Sequence, residues 1–243
     1  MPNHVTTQCV ITGPDKELER LRTTVIGVPE GDDQETLDFN LIIPMPETLK
    51  STIAGSDANL GIEVLTGKPK PCIFAGISSH SYLDSQRIQE LGIANIDELR
   101  AWAEKERPDA IEAGKAAIAA HRETGFYDWY DWSIANWGTK WNSYRFSIDN
   151  ADVVADRLSI LFDTAWGFPG QIFEKLARTF PTLRFECTCF DENWSFAGRG
   201  AFNGEPAFEF VEPTDELYEA VYGVAASHEG DDYYGDGSPT NGA

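Results

Sequence analysis

The segment at residues 129–141 holds the residue types best suited to bind a ligand. Four of the chain's seven tryptophans fall within it: Trp129, Trp132, Trp137 and Trp141. Asn136, Thr139 and Lys140 place polar groups beside these rings, as a pocket for a small molecule or a peptide would. In a second interpretation the tryptophans plug a core, because each large ring buries much apolar surface. Both interpretations stay open at the level of sequence.

A second candidate group centres on the segment FDTAW, which places Asp163 near the end of a predicted strand and Trp166 just after it. The Asp163 carboxylate could brace the following turn, pair with Lys140, or share a site with His4 and Glu192. A carboxylate beside a histidine can do general acid–base chemistry. These residues are far apart in the chain, so only the fold can bring them together, and we assign no catalytic residue.

Sequence motifs for metals and nucleotides are absent. Cys187 and Cys189 lie two apart on a predicted strand, where both thiols face the same side. No histidine or second cysteine pair stands near them, whereas a structural zinc site usually has four such ligands. The segment 198–204 has the wrong glycine spacing for a dinucleotide fingerprint. We therefore expect no metal and no cofactor.

The charge of the chain is strongly acidic, with 40 Asp and Glu against 19 Lys and Arg and a net charge of −21. Residues 200–243 carry ten acidic residues and no Lys or Arg. Direct binding to nucleic acid is disfavoured, because phosphate contacts need clustered basic residues. The charge either serves solubility or engages a basic partner, and we expect a host protein of basic character.

The sequence also suggests a compartment. No apolar run approaches the roughly 20 residues of a membrane span. The N-terminus lacks a basic region followed by an apolar stretch, so we expect no signal peptide. Four cysteines without a secretion signal are expected to be reduced thiols. These features predict a cytoplasmic protein that has no membrane contact.

Periodicity predicts two sets of elements that flank a different kind of region. Strands are expected at 4–12, 37–43, 143–148, 156–163, 183–190 and 194–202, with a further short one at 207–211. Helices are expected at 15–25 and 169–180, each with an apolar stripe on one face. Within residues 48–128, loops rich in Gly, Ser and Pro are expected at 51–80, and helices from Asn95 onward.

This order of elements predicts an α+β fold of ferredoxin-like type, with helices on one face of a mainly antiparallel sheet. Residues 1–47 and 129–211 would form that domain. Residues 48–128 would be a mostly helical insertion, and residues 212–243 an acidic, partly disordered C-terminal segment.

Several motifs, in this order, carry a family resemblance: MPNHV at the start, DFNLIIPMPE at 38–47, NWGTKW at 136–141 and FDTAW at 162–166. A strand pair with Asp191, Glu192, Phe196 and Gly198 follows them. The chain resembles the YubB-type ferredoxin-like proteins of bacteriophages and conjugative plasmids over most of 1–47 and 129–200. The resemblance implies a ferredoxin-like topology and a mobile-element setting in a bacterial cytoplasm. It does not imply an iron–sulfur cluster, because the term ferredoxin-like describes a topology. It assigns no biochemical function.

Two functions from different classes follow. The first is a mobile-element accessory protein that acts as an acidic protein-binding module and inhibits or sequesters a basic host protein that handles nucleic acid or serves defence. The alternative is a small-ligand or enzymatic pocket formed by the NWGTKW and FDTAW segments. A continuous acidic surface would favour the first, and a deep cleft lined by Asp163, Lys140 and Trp137 would favour the second.

Overall fold

The computed structural model describes residues 3–73, 79–148, 156–203 and 207–226. The strands in these residues are β1 His4–Thr12, β2 Ile26–Gly27, β3 Thr36–Leu37, β4 Tyr144–Ile148, β5 Arg157–Ala165, β6 Arg184–Asp191, β7 Ala197–Phe202 and β8 Ala207–Val211. The α-helices are α1 Asp15–Val25, α2 Phe39–Ile42, α3 Glu47–Lys50, α4 Ser56–Thr66, α5 Gln86–Glu90, α6 Ile96–Glu106, α7 Pro108–Thr124, α8 Trp129–Trp137, α9 Gly170–Thr179 and α10 Asp215–Tyr222. A short 3₁₀ helix, Tyr82–Asp84, precedes α5.

The main sheet has six strands in the order β4-β5-β1-β6-β7-β8, and every neighbouring pair is antiparallel. The chain order β1-α1-β4-β5-α9-β6 and the spatial order β6-β1-β5-β4 are those of a ferredoxin-like domain. Strands β7 and β8 extend the sheet beyond β6. The predicted α+β ferredoxin-like class is therefore confirmed.

Helices α1 and α9 share one hydrophobic core against a single face of the sheet. In β1, alternate side chains at Val5, Cys9 and Ile11 point into this core, as the twofold periodicity of a strand requires. Leu21 of α1 and Phe173 of α9 are buried in the same cluster. The apolar stripes of the two helices thus predicted their placement correctly.

Helix α10 covers the opposite face of the sheet. Phe190, which alternates with the core residue Cys189, packs there with Leu217 and Val221 of α10. Thr214 begins this helix, because its side chain accepts a hydrogen bond from the Leu217 backbone N–H. Helix α10 is an addition to the predicted fold, because the sequence predicts no element in the C-terminal segment, which is expected to be acidic and partly disordered. Residues 227–243, the rest of that segment, lie outside the described residues.

The predicted strand at 37–43 is wrong, because most of this stretch is helix α2. Asp38 precedes the helix, and its carboxylate accepts a hydrogen bond from the Asn40 backbone N–H at 2.9 Å. The Asn142 side chain accepts from the Phe39 backbone N–H at 2.8 Å and donates to Asp38. These contacts from a distant part of the chain outweigh the strand propensity of the local sequence.

The insertion contains a hydrophobic cluster of its own, in which Leu60 and Val64 of α4 pack with Leu99 of α6 and Ile111 of α7. Helices α4 and α7 approach so closely that a Cβ atom on Gly61 would lie 1.9 Å from the Ala110 carbonyl oxygen. The helices predicted in the later part of this region are present as α6 and α7. Helix α4 lies where loops were predicted, so that prediction is wrong. Within the described ranges, no helix combines the length and the apolar composition needed to cross a membrane.

Candidate functional site

Three of the predicted site residues serve the fold. Trp137 is 4% exposed and lies in the main core, where its indole Nε1–H donates to the Ile43 carbonyl at 2.9 Å. The Asn136 side chain donates to the Trp132 carbonyl within α8, and the buried Thr139 hydroxyl donates to the Trp141 carbonyl. Their polar groups are used internally, so they line no cleft with Asp163.

The exposed part of the predicted site is a lysine held between two tryptophans. The Lys140 Nζ lies 4.7 Å from the centroid of the Trp141 ring and 4.5 Å from that of the Trp166 ring. Both rings are about two-fifths exposed, at 40% and 43%. The ammonium thus contacts the π faces of both rings, and the predicted pairing of Lys140 with Asp163 is wrong.

Trp166 lies in a backbone conformation that few side chains adopt, with φ at +73°. Its backbone N–H donates to the Asn3 carbonyl, and the Lys140 N–H donates to the neighbouring Ala165 carbonyl. These bonds join the segment after α8 to the adjacent ends of β1 and β5. They place both exposed rings at that end of the sheet.

Asp163, His4 and Glu192 do meet at this end of the sheet, as the sequence suggested. The His4 backbone N–H donates to the Glu192 carboxylate at 2.7 Å, and His4 Nδ1 lies 2.6 Å from the Tyr144 hydroxyl. Asp163 lies directly opposite both Thr6 and Tyr144 in the sheet. The three residues therefore belong to one polar cluster, but they are not in direct side-chain contact as a triad.

The partners of Asp163 are Thr6 and Arg145. The Thr6 hydroxyl donates to one carboxylate oxygen at 2.8 Å, and the Arg145 guanidinium donates to the other at 3.1 Å. Burial raises the pKa of Tyr144 to about 12, and the negative charges of Asp163 and Glu192 act in the same direction. Tyr144 therefore stays protonated at neutral pH. With both Asp163 oxygens already bonded, this cluster is suited to stabilising the sheet end.

Sequence reasoning missed a pocket of about 340 Å³ where the insertion meets α8. Lys70 reaches into it, and its Nζ lies 2.5 Å from Asp128 Oδ2 and 2.7 Å from Asp131 Oδ2. Burial disfavours the Lys70 ammonium, but hydrogen bonds to the two carboxylates outweigh that cost and raise its pKa. Burial also raises the pKa of Asp131, and the charge of Asp128 adds to this effect.

Local folding rules explain how Asp128 reaches this position. Its Oδ1 atom accepts the Asp131 backbone N–H at 3.0 Å and so begins helix α8, which leaves Oδ2 for Lys70. The three-residue spacing of Asp128 and Asp131 in DWYD is the signal that sequence reasoning could have used. Lys70 lies in TGKPKP, a stretch that predicts only a loop.

Three of the four cysteines lie away from both sites, whereas Cys72 lines the pocket. Cys9 and Cys187 are opposite residues on neighbouring strands, and their Sγ atoms are 3.3 Å apart in the main core. Burial raises the pKa of Cys189 to about 12, so this thiol stays protonated. Within the described ranges, no three His, Cys, Asp or Glu side chains are grouped to hold a metal ion.

Comparisons with known proteins support the fold of the C-terminal part. Residues 136–230 match the family model described as "Ferredoxin-like domain in Api92-like protein", and this range includes both NWGTKW and FDTAW. A crystal structure of the protein api92 from Yersinia pseudotuberculosis is similar with a TM-score of 0.40 and 10% sequence identity, over 88% of this chain and 100% of that chain. No curated protein matches the chain. The matched residues are thus similar to a ferredoxin-like domain, in agreement with the strand order of the sheet.

Proposed function

We propose that this protein is a binding module for a basic partner protein. The observation that carries the proposal is the density of acidic residues from β8 to the end of α10. Five exposed acidic residues follow one another here without a Lys or Arg: Glu209, Glu212, Asp215, Glu216 and Glu219. Like charges at this density attract a basic protein and speed its encounter.

The edge of the sheet supplies a second feature of a protein interface. Strand β8 is the last strand of the six, and its Phe210 side chain is 62% exposed. The Phe210 ring packs edge to face against Phe196 and Phe208, which hold it in place. An exposed aromatic side chain on an edge strand that a partner can extend is typical of protein-binding surfaces. Phe210 lies on the same side of β8 as Phe208, which packs against the main core, so the charges of α10 are on the opposite face of the sheet.

The alternative function, a small-ligand or enzymatic pocket formed by NWGTKW and FDTAW, has less support. Trp137 is in the core, Lys140 is held by two indole rings, and Asp163 is bonded to Thr6 and Arg145. The cleft that this alternative needs is therefore filled by contacts within the chain. Trp141 and Trp166 remain exposed and could extend a protein-binding surface.

We also propose a setting for the partner. The resemblance to YubB-type proteins supports a mobile-element accessory protein in a bacterial cytoplasm. Host proteins that handle nucleic acid or serve defence present basic surfaces to phosphate backbones. An acidic module would compete for such a surface, and inhibition or sequestration would follow.

The test is affinity capture of host proteins followed by direct titration with each purified candidate, at low and at physiological salt. The test variant combines Phe210→Ser with Glu209→Lys and Glu216→Lys. The matched control carries the same number of charge reversals on exposed insertion residues, Glu104→Lys and Glu123→Lys.

We expect a basic partner whose binding weakens with salt, is lost in the test variant and persists in the control. Equal binding by the two variants would exclude the β8–α10 surface. A captured partner that is acidic or neutral would refute the proposed function itself.

A further inference from the structure

The pocket between the insertion and α8 has an apolar wall and an acidic base. Its apolar lining includes Ala54, Pro71, Ile73 and the Tyr130 ring. The polar lining includes Asn59, Glu63, Lys70, Asp128 and Asp131. Apolar walls with a few convergent polar groups are typical of ligand sites, and the volume of about 340 Å³ is within their usual range.

The charges in this pocket do not balance. Lys70 is the single cation that contacts Asp128 and Asp131 in the residues the structure describes. Glu63 is 2% exposed, and it accepts hydrogen bonds from the Ser81 hydroxyl and from the Tyr82 backbone N–H at 2.8 Å. The lining thus holds three carboxyl groups with Lys70 and His80, and this excess of acidic groups favours a further cation.

A second observation points to a ligand that donates hydrogen bonds. The Asn59 Oδ1 atom is buried in this lining and has no hydrogen-bond partner among the described residues. A buried amide oxygen without a donor is costly, because it has lost its water. A cation that carries N–H groups would satisfy this oxygen and the carboxylate charge together.

We propose that the pocket binds the guanidinium group of an arginine side chain presented by the basic partner. The inference rests on the proposed function, since it supplies the point at which that partner is recognised. The guanidinium has five N–H donors in a rigid plane, which suits several acceptors at once. Its weak hydration suits a partly buried site, and its apolar stem would pack on Tyr130 and Ile73.

Other ligand classes fit this lining less well. An anion would meet three carboxylates at close range. A lysine ammonium has three donors and is strongly hydrated, so it would lose more hydration free energy than a guanidinium when it enters the pocket. Lys70 already occupies the position between Asp128 and Asp131, so the added group is expected beside Glu63 and Asn59.

The direct test is calorimetric titration of the purified chain with L-arginine amide, with L-citrulline amide as the control that has a side chain of similar shape and no charge. A ligand of this size is expected to bind with a dissociation constant of about 1 mM. Citrulline amide should bind at least about tenfold more weakly, because its side chain brings no charge to the carboxyl groups. Equal binding of the two compounds, or none of arginine amide, would overturn the proposal.

Variants locate the site. Asp131→Asn and Asn59→Leu should each weaken the binding of arginine amide by about tenfold or more. Glu104→Gln on α6 should leave the binding unchanged. Asp131→Asn is expected to fold, because burial and Asp128 already oppose ionisation of Asp131. If both variants bind like the parent, the ligand sits elsewhere and the pocket is refuted.

The two proposals fail in different ways. Loss of partner binding in the β8–α10 variant, with arginine amide still bound, would support the proposed function and leave the pocket intact. Arginine amide binding without any basic partner would support the pocket and refute the proposed function.

Discussion

Single residues in the 129–141 segment divide into core and surface, and Trp137 belongs to the core. Its ring packs edge to face against Phe39 and Trp132 and donates to the Ile43 carbonyl. Trp137→Ala should lower the free energy of unfolding by about 3–5 kcal/mol, as for other buried aromatic side chains.

Thermal and denaturant unfolding would measure this loss, with Trp141→Ala as the matched control because its ring is 40% exposed. Lys140→Ala should change stability by less than about 1 kcal/mol, as expected for an exposed cation–π contact. If the Trp137→Ala variant melts at the same temperature as the Trp141→Ala control, the placement of Trp137 in the core is contradicted.

The hydroxyl of Tyr144 allows a test in alkaline solution. Its pKa of about 12 in the folded chain exceeds the value of about 10 expected when unfolded. The protonated group therefore contributes stability that is fully present below pH ~10 and is lost as the pH rises through 12. Phenolate absorbance of the parent minus that of Tyr144→Phe should titrate near 12. A difference that titrates near 10 would disagree with the buried position.

The partners of Asp163 show what residue-level reasoning could and could not predict. Its meeting with His4 and Glu192 at the sheet end followed from the ferredoxin-like order of strands. Its partner Arg145 did not, because Arg145 has φ at +50° and lies where the register between β4 and β5 shifts. Such an irregularity redirects a side chain in a way that alternation does not predict.

At the scale of elements, helices with a strong apolar stripe were predictable, whereas short elements were not. The boundaries of α1 and α9 follow from apolar spacing and from the flanking prolines. The four-residue helix α2 depends on Asn142, about a hundred residues away, and α10 depends on a sheet face that only the folded strands create. Neither of these two contacts can be deduced from the local sequence of the helix.

The crossing of α4 and α7 gives a prediction for the insertion. A Cβ on Gly61 would meet the Ala110 carbonyl oxygen at 1.9 Å, and one on Gly114 would meet the Gly61 carbonyl carbon at 2.3 Å. Gly61→Ala should therefore destabilise the chain by at least about 3 kcal/mol, since neither backbone can yield without separating the helices.

Circular dichroism melting would detect this change. Gly170→Ala is the control, because a Cβ there has its nearest neighbour at 3.9 Å and α9 can accept it. The control should melt at or above the parent temperature. Similar melting of both variants would mean that α4 and α7 lie further apart than described.

At the scale of the whole molecule, the pocket exists because the insertion folds back on the ferredoxin-like domain. Lys70 comes from the insertion, whereas Asp128 and Asp131 come from the start of α8, about sixty residues later. An insertion and a net negative charge could be predicted from the sequence alone. This junction could not, because the pairing of Lys70 with two distant carboxylates depends on how α4, α7 and α8 pack.

The net charge of −21 predicts how the whole molecule responds to salt. Mutual repulsion of the acidic groups opposes the compact state, and salt at about 0.15 M screens exposed charges beyond about 8 Å. Adding sodium chloride to a low-salt buffer at neutral pH should therefore raise the melting temperature.

A variant with Gln or Asn at the five acidic positions from β8 to α10 should melt at a higher temperature than the parent at low salt. Its melting temperature should also depend less on salt. Calorimetric melting of both proteins across a salt series would measure this. A parent protein that melts at a lower temperature as salt is added would show that attractive ion pairs, such as that of Lys70, outweigh the repulsion.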